Sequence, residues 1–154
     1  MGNADMSASD RFEATRSAVY RLNDVKTAIM LEGEEWKPSQ PKSRGLSDPT
    51  ARKAIYRADE LAQVLENLRH EEHELENYIG TSLALIEAVR MGLGDKYADI
   101  LEWLYIDCAS WTYIIDTYGV KRSTAFFRRG VAFDWIDSIG IRELLRGEYE
   151  LGVT

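Results

Sequence analysis

SWTYIIDTYGVKRSTAFFRRGVAFDWI, residues 110–136, is the stretch that decides how this chain folds. Ser110 suits a helix N-cap, because its hydroxyl can accept a first-turn N–H that no backbone carbonyl reaches. The helix it opens carries Trp111, Ile114, Ile115 and Tyr118 on one face. Gly119 stands where a helix ends in a left-handed residue, a conformation only glycine adopts at low cost. A second helix then starts near Arg122-Ser123-Thr124 and holds all the local basic charge. Short helix, glycine turn and basic helix form the helix-turn-helix pattern, whose second helix enters the major groove of DNA. Val120 would plug the angle between the two helices. Ile115 and Ala125 depart from the pattern, which prefers alanine at the first position and a larger aliphatic at the second; an exchange of volume would reconcile them. Of the adjacent Phe126 and Phe127, Phe126 is the one expected in the core.

Downstream, Ala132, Phe133, Ile136 and Ile139 extend the apolar face until Gly140. Ile141, Leu144 and Leu145 make a short last helix before a polar tail, 147–154. Upstream, Lys96 to Ile106 reads as a helix with Tyr97, Ile100, Leu101, Leu104 and Tyr105 inward. It is the packing helix that the pair needs to close a core. Residues 95–146 therefore read as one helix-turn-helix domain, bounded by Leu93-Gly94-Asp95.

Residues 10–92 read as a long antiparallel helical hairpin. Its first helix, Asp10 to about Glu32, places Phe12, Val19, Leu22 and Ile29 at alternating seven- and three-residue steps, with Gly33 as its stop. The connector 34–47 holds two prolines and Gly45 and suits no regular element. Its Trp36, Lys37, Lys42 and Arg44 could touch nucleic acid, although a solvated loop with one docked Trp is the plainer reading. Asp48-Pro49 opens the second helix as N-cap and first helical residue. Two heptad series follow: Ala54, Leu61, Leu68, Leu75, Ser82, Val89 and Ala58, Leu65, Glu72, Ile79, Ile86. Only Ser82 and Glu72 break them, a stripe of coiled-coil quality. This helix would be about 63 Å long against about 35 Å for the first. The uncovered part of its stripe needs the C-terminal domain, a second chain, or both; a homodimer is expected. Residues 1–9 are small and polar and read as a disordered tail.

The fold class is thus all-α, and 154 residues with 45% hydrophobic and 29% charged suit a folded domain and not a disordered chain. Cys108 is the one cysteine, so no intramolecular disulfide can form, in keeping with a reducing cytosol. No apolar run approaches the roughly 20 residues that span a bilayer, and residues 1–7 lack the features of a signal peptide. A cytoplasmic protein without a membrane partner is expected. The net charge of −7 opposes binding to phosphates. Yet Thr117 to Phe133 holds four cations (Lys121, Arg122, Arg128, Arg129) and no acid, with Asp116 and Asp134 bracketing it.

Little in the chain suits catalysis. His70-Glu71-Glu72-His73-Glu74 has its histidines three apart, not the four of a zincin helix, and reads as a solvated charged face. Cys108 has no histidine near it in sequence and reads as a small hydrophobe. No GxSxG, phosphate-cradling glycine loop or DxDxDG loop occurs. No enzyme activity, cofactor or metal is expected.

The base-facing candidates are Lys121, Arg122, Ser123, Thr124, Phe127 and Arg128. Arg122 or Arg128 would be bidentate to guanine, and Phe127 would contact a thymine methyl. Arg129 and Ser110 are candidates for phosphate. A solvated basic face is the plain alternative for the arginines.

Tyr97 to Ile136 resembles region 4 of bacterial sigma factors. The match runs through Ile100-Leu101, Tyr105, Ser110-Trp111, Ile114, Gly119-Val120, Arg122-Ser123 and Ala132-Phe133. Over roughly residues 10–140 the chain is similar to small phage and prophage proteins of unassigned function, akin to ArpU- and RinA-type late-operon regulators. The resemblance implies a sigma region 4-like domain and transcriptional control of phage genes, with double-stranded DNA as partner. RNA polymerase is a further candidate partner. Two alternatives stay open: a module that binds RNA polymerase or a sigma factor without reading DNA, and a small terminase subunit.

Overall fold

The computed structural model describes residues 6–35 and 48–147, with positions 34–35 and 48–57 described as backbone only. The tail over 1–5, Trp36, Lys37, Lys42 and Arg44 of the connector, residues 148–154, and the Ala54 side chain lie outside the described residues. The elements are α1 (Ala8–Glu35), α2 (Asp48–Gly92), α3 (Asp95–Leu101), a π-helical segment (Glu102–Ile106), α4 (Trp111–Tyr118), α5 (Arg122–Ile139) and α6 (Ile141–Leu145). The chain is all-helical, with no strand among the described residues.

Helix α1 differs from its sequence pattern at both ends. It begins at Ala8, because Ser7 Oγ accepts the Asp10 N–H at 3.1 Å and Asp137 Oδ1, from α5, accepts the Ala8 N–H at 2.7 Å. It also runs through Gly33 to Glu35. Glycine in a helix costs only about 1 kcal/mol, too little to stop one by itself.

Two compact units share the long helices. The first takes the described residues up to Tyr20 and from Asn77 onward; the second is Arg21–Glu76. The turn at 93–95, read from the sequence as a boundary between two parts, lies inside the first unit. There Ala8 and Phe12 of α1 and Leu85, Ile86, Ala88 and Val89 of α2 join one core with Ile100, Leu101, Leu104, Tyr105, Ile114, Ala132 and Ile136. The Phe12 ring is its hub, 5.5 Å from Tyr105 and 5.7 Å from Phe133. Ser82, one break in the heptad series, is fully buried and shares a 2.6 Å hydrogen bond with the buried Thr15 hydroxyl. Arg11 donates to Ser82 Oγ at 2.9 Å and to the Tyr78 carbonyl at 2.7 Å. The interruption is therefore a satisfied polar pair, as burial of a hydroxyl requires. No buried side-chain nitrogen or oxygen among the described residues lacks a partner.

In the second unit Val25 is buried. The α2 stripe residues Leu61, Leu65, Leu68 and Leu75 are half-buried, and Val64 is exposed. Arg21 grips Glu71 with two hydrogen bonds, at 2.6 and 2.8 Å.

The helix expected over 96–106 changes character midway. After Leu101 the turns widen: Asp107 N–H reaches the Glu102 carbonyl, five residues back, at 2.9 Å, and Ala109 N–H reaches Trp103 at 2.8 Å. Cys108 then sits at φ 53°, left-handed although it is not glycine. Such a residue costs roughly 1–2 kcal/mol and is held by its surroundings. The apolar spacing carries no sign of this, since four- and five-residue steps bury the same positions here.

Candidate nucleic-acid interface

Local chemistry builds α4 and its turn. Ser110 Oγ accepts the Tyr113 N–H at 3.0 Å, and Gly119 ends the helix at φ 67°, ψ 24°, its N–H reaching the Ile115 carbonyl at 3.0 Å. Helix α5 starts at Arg122 with Lys121 as an N-cap whose side chain makes no cap bond. The N–H groups of the first turn of α5 thus have no capping side chain.

Which residues face inward differs from the sequence reading. On α4 only Ile114 is fully buried; Trp111 is partly covered, and Ile115 and Tyr118 are exposed. Ala125 is buried, but Ile115 is 38% exposed and not in the core, so the two do not exchange volume; Ile114 is the α4 residue in the core. Ala125, Ala132 and Ile136 take the inward face of α5. The neighbour of a buried helical residue points about 100° away, and Phe126 accordingly lies on the surface, 41% exposed, not in the core. Its ring stacks on Trp111 with centroids 4.6 Å apart.

That pair is flanked by cations. The Arg122 guanidinium lies 5.3 Å from the Trp111 ring centre and 5.5 Å from that of Phe126. The Arg129 guanidinium lies 4.7 Å from Phe126 and donates to the Tyr105 hydroxyl at 3.2 Å. Burial pushes the Tyr105 phenol above its ordinary value, with Arg129 opposing the shift. Arg129, a phosphate candidate in the sequence, is thus half-buried and held against α5's own aromatic neighbours. Cation–π contacts of this kind contribute about 0.5–1 kcal/mol near a surface. A second stack, Trp103 on Tyr118 at 3.8 Å and 7°, ties the π-helical segment to the end of α4.

Lys121, Arg122, Ser123 and Ser110 are exposed, and Thr124 and Arg128 are half-buried. Phe127 is 66% exposed. Lys121 to Arg128 occupy the N-terminal half of α5 and its N-cap, and Ser110 caps the start of α4. Elsewhere Arg16, Arg21, Lys26, Arg90 and Arg146 each have a carboxylate within ion-pair distance, whereas Arg11, Arg69, Lys96 and Arg142 have none among the described residues. Among the described residues none reaches Lys121, Arg122, Arg128 or Arg129. The stretch keeps its local positive charge uncompensated.

The sequence reading missed Trp111, Phe126 and Tyr105 as the scaffold of the arginines. The steps Arg122, Phe126, Arg129 are one helical face and are the signal that was present. The link to Tyr105 crosses two elements and leaves no local sign. No group of three or more metal-ligating side chains occurs among the described residues, and no described helix is long and apolar enough to cross a membrane. In comparison with known proteins, no family model, curated sequence or solved structure matches the chain.

Proposed function

We propose that this chain is a non-enzymatic, cytoplasmic DNA-binding transcription regulator of phage or prophage type. In this reading α4, the Gly119 turn and α5 act as a sigma region 4-like helix-turn-helix. The observation that carries it is a set of four cations without carboxylate partners among the described residues, Lys121 and Arg122 exposed at the uncapped start of α5 and Arg128 and Arg129 half-buried farther along it. Phosphates would meet Lys121, Arg122, Ser123, Ser110 and the first N–H groups of α5, where the helix dipole favours an anion. Thr124, Phe127 and Arg128 are the base-edge candidates, with Arg128 suited to guanine and Phe127 to a thymine methyl. Arg129, tied to Tyr105, positions the surface and adds charge to it.

The net charge of −7 weakens non-specific attraction, so affinity needs a second contribution. A second copy supplies it: the half-buried leucine stripe of the second unit suits a coiled-coil-like homodimer that would present two copies of α5. Selection of bound sites from random DNA, followed by binding across a salt series, tests the reading. A preferred site should persist as salt rises. Arg128→Ala should lose about 1–3 kcal/mol on that site and relax one base pair. Equal loss on every sequence would assign Arg128 to phosphate.

A second reading is favoured by the exposed apolar groups Tyr113, Ile115, Tyr118 and Phe127, which suit a protein surface such as RNA polymerase or a sigma factor. Absence of any preferred DNA site at all salt concentrations, with retained binding to polymerase, would select it. A ring-sized oligomer instead of a dimer would support a small terminase subunit.

A further inference from the structure

A cavity of about 290 Å³ opens beside the start of α4, at the left-handed Cys108. Its apolar walls are Leu104, Ala109 and the Trp111 ring; its polar groups are Arg16 and Tyr20 from α1 and the Cys108 thiol. Ser110, the N-cap of α4, stands at its rim.

The groups are unequal in how well they are satisfied. Cys108 Sγ donates to the Tyr105 carbonyl at 3.8 Å. Burial raises the thiol above its ordinary range, so it stays neutral and sets no negative charge against an incoming anion. Arg16 is different. Its guanidinium is half-buried and stands 4.9 Å from the Tyr105 ring centre. Among the described residues it donates no hydrogen bond, and Glu13 Oε1, one turn away, is at 4.0 Å. A guanidinium offers five donors in a planar fork that matches a carboxylate. The N–H groups at the start of α4 add positive potential on the same side, and Ser110 Oγ takes only that of Tyr113. A half-buried guanidinium whose N–H donors make no hydrogen bond among the described residues, a phenol and an indole beside one small cavity are the elements of a site for a small organic acid.

We propose that this cavity binds a small monocarboxylic acid with a flat apolar body, its carboxylate on Arg16 and its ring against Trp111 and Leu104. The volume lies just below the usual range of ligand sites, which suits a molecule the size of one aromatic ring with a carboxylate. The site lies apart from Arg128 and Phe127 but shares Ser110 and Trp111 with the proposed DNA-binding face.

The test is a two-dimensional NMR titration of the full chain with benzoate, benzyl alcohol and acetate. Benzoate should saturate with a Kd of about millimolar or tighter, shifting the Trp111 indole and the amides of residues 104–111. Benzyl alcohol, which has the ring without the charge, and acetate, which has the charge without the ring, should each bind at least about ten-fold more weakly, the loss expected when a charge-assisted hydrogen bond or a buried ring is missing. Arg16→Met should bring benzoate down to the level of benzyl alcohol, and Arg16→Lys should keep most of the binding. Equal binding of benzoate and benzyl alcohol, shifts centred elsewhere, or no saturable binding would each overturn the proposal. The three-probe comparison needs no variant, so it decides even if Arg16→Met unfolds.

Discussion

Removing the Asp137 carboxylate tests how the first unit ties the start of α1 to α5. Asp137 Oδ1 accepts the N–H of Ala8 at 2.7 Å, across 129 residues of sequence, and Ala8 is completely buried. Asp137→Ala leaves that N–H without its acceptor, a loss of roughly 1–3 kcal/mol. It also removes a negative charge from the start of α1, about 0.3–1 kcal/mol at a site with access to solvent. Water reaching the shortened side chain recovers part of both, so about 2 kcal/mol of destabilisation is expected. For a chain of this size that lowers Tm by about 4–8 °C. Asp137→Asn keeps an acceptor and loses only the charge, and should cost less than half as much. Urea unfolding gives the free energies, and hydrogen exchange at Ala8 gives the local effect: protected in the parent and in Asp137→Asn, exposed in Asp137→Ala. Asp137→Ala within about 0.5 kcal/mol of the parent, the ordinary range for surface changes, would refute the reasoning. So would Asp137→Asn as damaging as Asp137→Ala, because charge alone would then explain the effect.

Arg90 gathers Glu87, Asp95, Asp99 and Glu102 at 2.8–3.2 Å, joining the end of α2 to α3 and the π-helical segment. Counting only its two less exposed partners, Asp99 and Glu102, at about 1 kcal/mol each, Arg90→Met should cost about 2 kcal/mol in urea unfolding, and less in high salt. Gly119→Ala meets no neighbour but must hold φ 67°; strain of about 1–2 kcal/mol less the gain in the unfolded chain leaves about 1 kcal/mol, and Gly119→Asn should cost less. Burial raises the Cys108 thiol in the folded chain, so its contribution is intact below the ordinary thiol value of about 8.5 and is lost as pH rises through that range. Cys108→Ser should therefore flatten the alkaline side of the stability profile, and disulfide-forming reagents should label native Cys108 more slowly than a free cysteine at pH 8.

Several features were legible without the structure because their causes are local. Ser110 and Gly119 act through bonds spanning three or four residues, and Lys121-Arg122 begins a helix because Gly119 has just ended one. The heptad leucines of α2 and the inward Ile100, Leu101, Leu104 and Tyr105 follow from periodicity. Other features were not legible. Phe126 and Phe127 are equally apolar, and the rotation of α5 about its axis decides which is covered; burial of Ala125 turns both outward. The π-helical segment has the composition of an ordinary helix. The cavity draws on α1 and on the left-handed turn at Cys108, which share no pattern in the sequence.

The amino-acid sequence by itself determined that this chain is helical, where α4 and α5 begin and end, and that four cations and no acid share the stretch from Thr117 to Phe133. Only the tertiary structure decided that α1 starts on Asp137, that Arg129 is held by Tyr105, and that the first turns of α1 and the last turns of α2 belong to the core of the C-terminal helices. The physical reason is range. Capping, glycine geometry and apolar periodicity act within a few turns of one helix, whereas these contacts join residues far apart in the chain and exist only once separate helices have packed.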